Sequence, residues 1–172
     1  PVLAQSLGER TGVNSTLGIS PSTQDFVTQV AISDMFEINS AKLAQANGNE
    51  AQKKFAQEMI TDHTKTSSEL KRMVTAGNSK FEIPTQLDSA HQGKLDKLNN
   101  ARGDDFASTY AAQQVDAHKD AVSLFERYAK GGDHAELKDW AGKTLPALKH
   151  HLEMAEQLDK QRSAPTVGST AP

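Results

Sequence analysis

The sequence has no cysteine, which removes disulfides, thiolate metal sites and cysteine nucleophiles together. Aromatic residues make up only 5% of it, with a single tryptophan, too few for an aromatic-rich β core. No stretch approaches the roughly 20 apolar residues that a membrane helix needs. Positive charge is not in excess either: the formal net charge is -3 and no Lys/Arg cluster is dense, so nothing gathers phosphates and nucleic-acid binding is disfavoured. A glycine-rich phosphate loop, a Gly-x-Ser-x-Gly elbow and a His-Glu-x-x-His helix are all missing. The common hydrolase and nucleotide-binding chemistries therefore have no footing, and enzymatic activity is left undecided.

What remains is a chain of 172 residues rich in Ala, Gln, Lys, Asp and Leu, a length that suits one core and a composition that suits helices with narrow apolar stripes. Residues 1–21 have no sustained periodicity and read as a flexible arm; residues 162–172 read as a disordered tail. Pro1-Val2-Leu3-Ala4-Gln5, ahead of a Ser/Gly/Thr-rich stretch, looks like what processing of an export signal leaves behind.

Between these ends, residues 22–161 carry helical periodicity. Ser22 is a good N-cap for a helix with Phe26, Val30, Glu37, Ala41 and Ala44 on one stripe, closed by Asn47-Gly48-Asn49. A second helix, from about Asn49 to Ala76, places Phe55, Met59, His63, Leu70 and Met73 in register, with Gly77-Asn78 as its stop. After Phe81-Glu82-Ile83-Pro84 comes a shorter amphipathic piece with Leu87, His91, Leu95 and Leu98. The third long helix spans about Asp104 to Lys130. The fourth starts near Asp133, and Pro146 inside it is expected to kink or break it. Two long helices, a crossover with a short helix and two more long helices is the chain path of an all-α, ferritin-like four-helix bundle.

Each long helix has one ionisable or metal-capable residue in its apolar stripe. Glu37 lies 7 residues before Ala44, and His63, His118 and His151 stand 7 residues before Leu70, Phe125 and Leu158, so all four face the interior. A buried carboxylate needs a partner or a cation, and three neutral imidazoles beside it form a nitrogen-rich set suited to Zn, Mn, Fe or Cu. Asp62, next to His63, is a further ligand candidate or an acceptor that fixes an imidazole tautomer. Alternatively the four are packed core residues in a hydrogen-bonded network without metal. No Glu-x-x-His occurs anywhere, so the dinuclear carboxylate site of ferritin-like proteins is not expected. Of the other histidines, His150 points about 100° away from His151, and His134 and His91 sit at the surface or cap the helices from outside. Trp140 and the four methionines read as packing residues.

The run from Phe26 to Ala44, Phe55-Ala-Gln-Glu-Met-Ile-Thr-Asp-His63, Asp105-Phe106 to Tyr110 with Gln114 and His118, and Leu145-Pro146-x-Leu148-x-x-His151-Leu152 resemble an exported bacterial family of ferritin-like proteins. It is known as domain of unknown function 4142 and often labelled putative outer membrane protein. The resemblance spans about residues 23–160. It implies a periplasmic location, a signal peptide removed on export, and a helical bundle in which Glu37, Asp62, His63, His118 and His151 match the family pattern. It implies no reaction. Three functions follow: a periplasmic bundle holding a transition-metal ion for storage, sensing or oxidant handling; a non-catalytic envelope or stress protein that presents a surface to a partner; and a metal-dependent oxidoreductase.

Overall fold

The computed structural model describes residues 5–77 and 80–163, and among them every regular element is a helix. Two one-turn helices, α1 (Leu7–Arg10) and α2 (Val13–Leu17), precede α3 (Thr23–Asn47), α4 (Glu50–Ala76), α5 (Ser89–Asn100), α6 (Gly103–Gly131) and α7 (Ala135–Ser163). The opening residues read as an export remnant lie partly outside this range, as do residues 164–172 of the tail. The four long helices are all-α architecture of the kind the periodicity indicates.

Their ends are set locally. The Ser22 hydroxyl accepts from the Asp25 N–H at 3.1 Å, and Asn49 forms a reciprocal capping box with Gln52, satisfying donors that have no partner inside the helix. Between Asn47 and Glu50 there is room only for a tight turn, so α3 and α4 run antiparallel. α6 and α7 are joined as briefly and do the same. His134, rather than Asp133, caps α7: its ring Nδ1 accepts from the Leu137 N–H at 3.3 Å. The proline-induced break does not occur, because α7 runs from Ala135 through Pro146 to Ser163. Trp140, Ala141 and Leu148, buried on either side of the proline, hold the helix course by packing, while proline removes a single backbone bond.

The hairpins α3–α4 and α6–α7 pack together and bury two separate apolar clusters. One gathers Phe26, Leu70, Phe125, Tyr128, Trp140 and Leu148; Phe26 stacks on Tyr128 with ring centres 4.0 Å apart. The other gathers Ala44, Phe55, Met59, Phe106, Tyr110 and Leu158. The connector after α4 lays Phe81 and Ile83 against the first cluster, and α5 contributes Leu98 to the second. Between the clusters every long helix carries buried polar residues: Asp34 and Glu37 on α3, His63 on α4, Gln114 and His118 on α6, His151 on α7.

Residues 5–21, which composition alone reads as an arm, are tied to α6. The Glu9 carboxylate, its side chain only 2% exposed, accepts from Arg127 Nη1 at 3.0 Å through both oxygens and from Gln29 and Asn14. The same guanidinium reaches the Ile19 carbonyl at 3.0 Å. Breaking a buried ion pair from one side strands the other charge. Arg127→Met is therefore expected to lower unfolding free energy by about 3 kcal/mol, and the double variant Arg127→Met/Glu9→Gln by less than the sum of the single changes. Denaturant titration of the four proteins measures this, and strictly additive losses would show that the two side chains do not interact.

Candidate metal centre

The polar turn in the middle of the core is built around three imidazoles. His63, His118 and His151 are 3%, 1% and 3% exposed, and their ring centres form a nearly equilateral triangle with sides of 5.9, 5.7 and 5.6 Å. They therefore share one height. One nitrogen from each ring lies within 4.8 Å of those of the other two.

Each ring is held from behind by an acceptor. His63 Nδ1 meets Asp34 Oδ1 at 2.8 Å, an oxygen also bonded by the Thr66 hydroxyl at 2.9 Å. His118 Nδ1 meets the Gln114 carbonyl at 2.8 Å, and His151 Nε2 meets Asp62 Oδ2 at 2.7 Å. A carbonyl or carboxylate only accepts, so in each case the ring nitrogen behind carries the proton and donates it. With the rings neutral, the front nitrogens, His63 Nε2, His118 Nε2 and His151 Nδ1, are thereby left as bare lone pairs, and each is buried without a hydrogen-bond partner. Three acceptors facing one another cannot satisfy each other. A cation between them can. A point at the triangle's centre is about 3.3 Å from each ring centre, the reach of a metal–nitrogen bond of about 2.0–2.1 Å added to the radius of an imidazole ring.

The electrostatics favour the unprotonated ligand form at His118, whose burial lowers its imidazole to about 3, with the neighbouring His63 and His151 adding to the effect. Burial also lowers His151, against the opposing pull of Asp62. His63 goes the other way: burial, the largest influence, would lower it, but the carboxylates around it, Asp34 foremost with Glu37 and Asp62, together hold it above the ordinary imidazole value.

Glu37 and Asp62, the two acidic residues singled out by sequence, take different places. Glu37 is fully buried beside His63 but joins no group of mutually adjacent ligand atoms among the described residues. Both of its oxygens lack a partner, as do the Gln114 amide and the Tyr110 hydroxyl. Burial pushes Glu37 up to about 7; the Gln114 amide, close enough to favour the anion, falls short of hydrogen-bond geometry. Asp62 stands behind His151 rather than between the rings. Asp34 was not singled out by sequence, yet it lies 4 residues after Val30 and 3 before Glu37, on the same buried stripe.

None of the curated proteins matches the sequence. Among solved structures, CopM in the Cu(II)-bound form has the same fold, with a TM-score of 0.69 at 17% identity over 83% of this chain and 99% of that one. The family described as domain of unknown function (DUF4142) matches residues 8–158, from within α1 to near the end of α7 and across the whole imidazole layer. With nearly the full length accounted for in this way, the chain belongs to the DUF4142 family.

Proposed function

We propose that the four long helices form a ferritin-like bundle, acting in the periplasm, whose interior binds one transition-metal ion through His63, His118 and His151. The observation that carries this reading is the convergence of three buried, unpartnered imidazole lone pairs whose tautomers are set by Asp34, the Gln114 carbonyl and Asp62. A hydrogen-bonded network without metal would need a donor at each of these nitrogens, and among the described residues no hydrogen bond reaches any of the three. Asp34 beside the site, joined by Glu37 where a bound cation draws off its proton, adds negative charge that offsets a divalent cation in a medium where isolated charge is costly. Three imidazoles suit Zn or Cu best, with Fe and Mn as weaker matches, and the copper bound by CopM is in keeping with the same class of ion. Three protein ligands leave at least one coordination position free, which fits exchange of the ion in storage or sensing better than a purely structural role.

Protein purified from Zn- or Cu-supplemented medium is expected to retain close to one equivalent by mass spectrometry, and a His63→Ala/His118→Ala variant less than about a tenth of that. Both retaining less than a tenth would end the metal reading. Asp34→Asn keeps the ligands but disturbs the His63 tautomer, and is expected to weaken binding by about 10–100-fold in a chelator competition.

The metal-free protein offers a separate check on Glu37. Its folded carboxyl, raised from 4.5 to about 7, keeps its proton over a range where the unfolded chain has lost it. Its contribution to stability therefore falls as pH rises through that window. Relative to Glu37→Gln, metal-free wild type is expected to lose about 3 kcal/mol of unfolding free energy between about pH 4.5 and pH 8. Parallel stability curves for the two proteins would refute the assignment.

A further inference from the structure

His151 is the one member of the trio whose rear nitrogen faces the outside. Behind it, Asp62 and Glu58 stand 4 residues apart on one face of α4, and Glu58, Asp62 and His151 each offer a ligand atom within 4.8 Å of the other two. Two carboxylates and an imidazole nitrogen form a donor set for a borderline divalent cation such as Zn(II) or Cu(II). The Asp62 side chain is 38% exposed, so the group meets solvent while the trio does not.

The surroundings give the group a path. α4 and α7 touch less closely than the two helices of either hairpin, and their seam is open. A cavity of about 330 Å³ there is lined by Asp62, His63, Thr66, Trp140 and His151, and a second, of about 240 Å³, is bordered by Glu58, Phe55 and Met154. Any ion bound for the buried trio must cross some part of the core boundary, and at this seam ligand atoms continue from the surface to the interior. The two nitrogens of His151 belong to different groups, the rear one to the carboxylates and the front one to the buried triangle.

Taking the trio as a metal site, we infer that Glu58, Asp62 and the outer nitrogen of His151 form a second cation site, weaker and solvent-facing, from which the inner site is loaded. Binding there shifts the His151 proton from Nε2, by way of solvent, to Nδ1, and the ion takes the vacated place between Nε2 and Asp62. The ion then passes to the inner set as the proton returns to Nε2 and bares Nδ1 for it beside His63 and His118; a second ion entering the outer site releases that Nε2 proton to solvent, so that the His151 ring bridges the two ions as an imidazolate.

The test uses the metal-free full chain titrated with Zn(II) in a calorimeter, and Zn(II) uptake followed by stopped flow with a fluorescent chelator. Wild type is expected to take up two equivalents in two steps. Glu58→Gln, an isosteric change at a half-buried position, is expected to weaken the second step by about ten-fold or more, keep the first, and slow loading of the inner site. The His63→Ala/His118→Ala variant should keep the weaker step and lose the tighter one. A wild type that binds one equivalent, with Glu58→Gln identical in stoichiometry and rate, overturns the second site and leaves the inner one standing. Loss of the second step with an unchanged loading rate overturns the loading role. A wild type that binds no Zn(II) sinks both readings.

Discussion

The structure turns on a conflict in the middle of the core. Packing two helical hairpins face to face removes water from every inward position, yet each long helix carries a polar turn where apolar clusters on either side are complete. Burying such atoms without partners costs about 1–3 kcal/mol each, and a fold of marginal stability cannot carry many of them. The rear hydrogen bonds resolve half of the conflict by fixing three imidazoles rigidly. They sharpen the other half, because a proton held at the back of a neutral ring is one that the front cannot offer.

Much of this was legible in the sequence, and the parts that were not have physical reasons. A period near 3.6 residues marks which side of a helix is buried, so His63, His118 and His151 could be placed inside from Leu70, Phe125 and Leu158 alone. Whether they meet depends on how far one helix slides along another, which is decided by turn length and by packing between residues far apart in the chain. That is why Glu37, equally internal, stands beside the imidazoles instead of among them. Asp34 could have been found by the same stripe that revealed Glu37. The order in residues 5–21 could not, since it rests on contacts between positions far apart in sequence, among them an ion pair between residues 118 apart and the Ser15–Ser123 hydrogen bond, which leave no local pattern. The break expected at Pro146 fails for the opposite reason: a strong local signal is overruled where residues buried on either side keep α7 continuous.

The likeness to CopM in its Cu(II)-bound form belongs to the fold, since only 17% of residues are identical. What can be carried by so few shared residues is the arrangement of apolar stripes and turns, which tolerates wide exchange of side chains of similar volume. A site inside such a frame is set by a handful of positions, and in this chain those positions are one polar turn per helix.

The division of the imidazoles between the hairpins has a consequence for how the molecule assembles. His63 belongs to α3–α4, whereas His118 and His151 belong to α6–α7. Each hairpin is built from contacts local in sequence, which form early and quickly, while the pairing of one hairpin with the other closes a long loop and comes later. Before that last step the chain has two imidazoles in one half and one in the other, and no place where all three converge. If the trio holds an ion as proposed, its capture would report that the halves have docked, and the ion would fasten together the two pieces of the chain that are slowest to find each other.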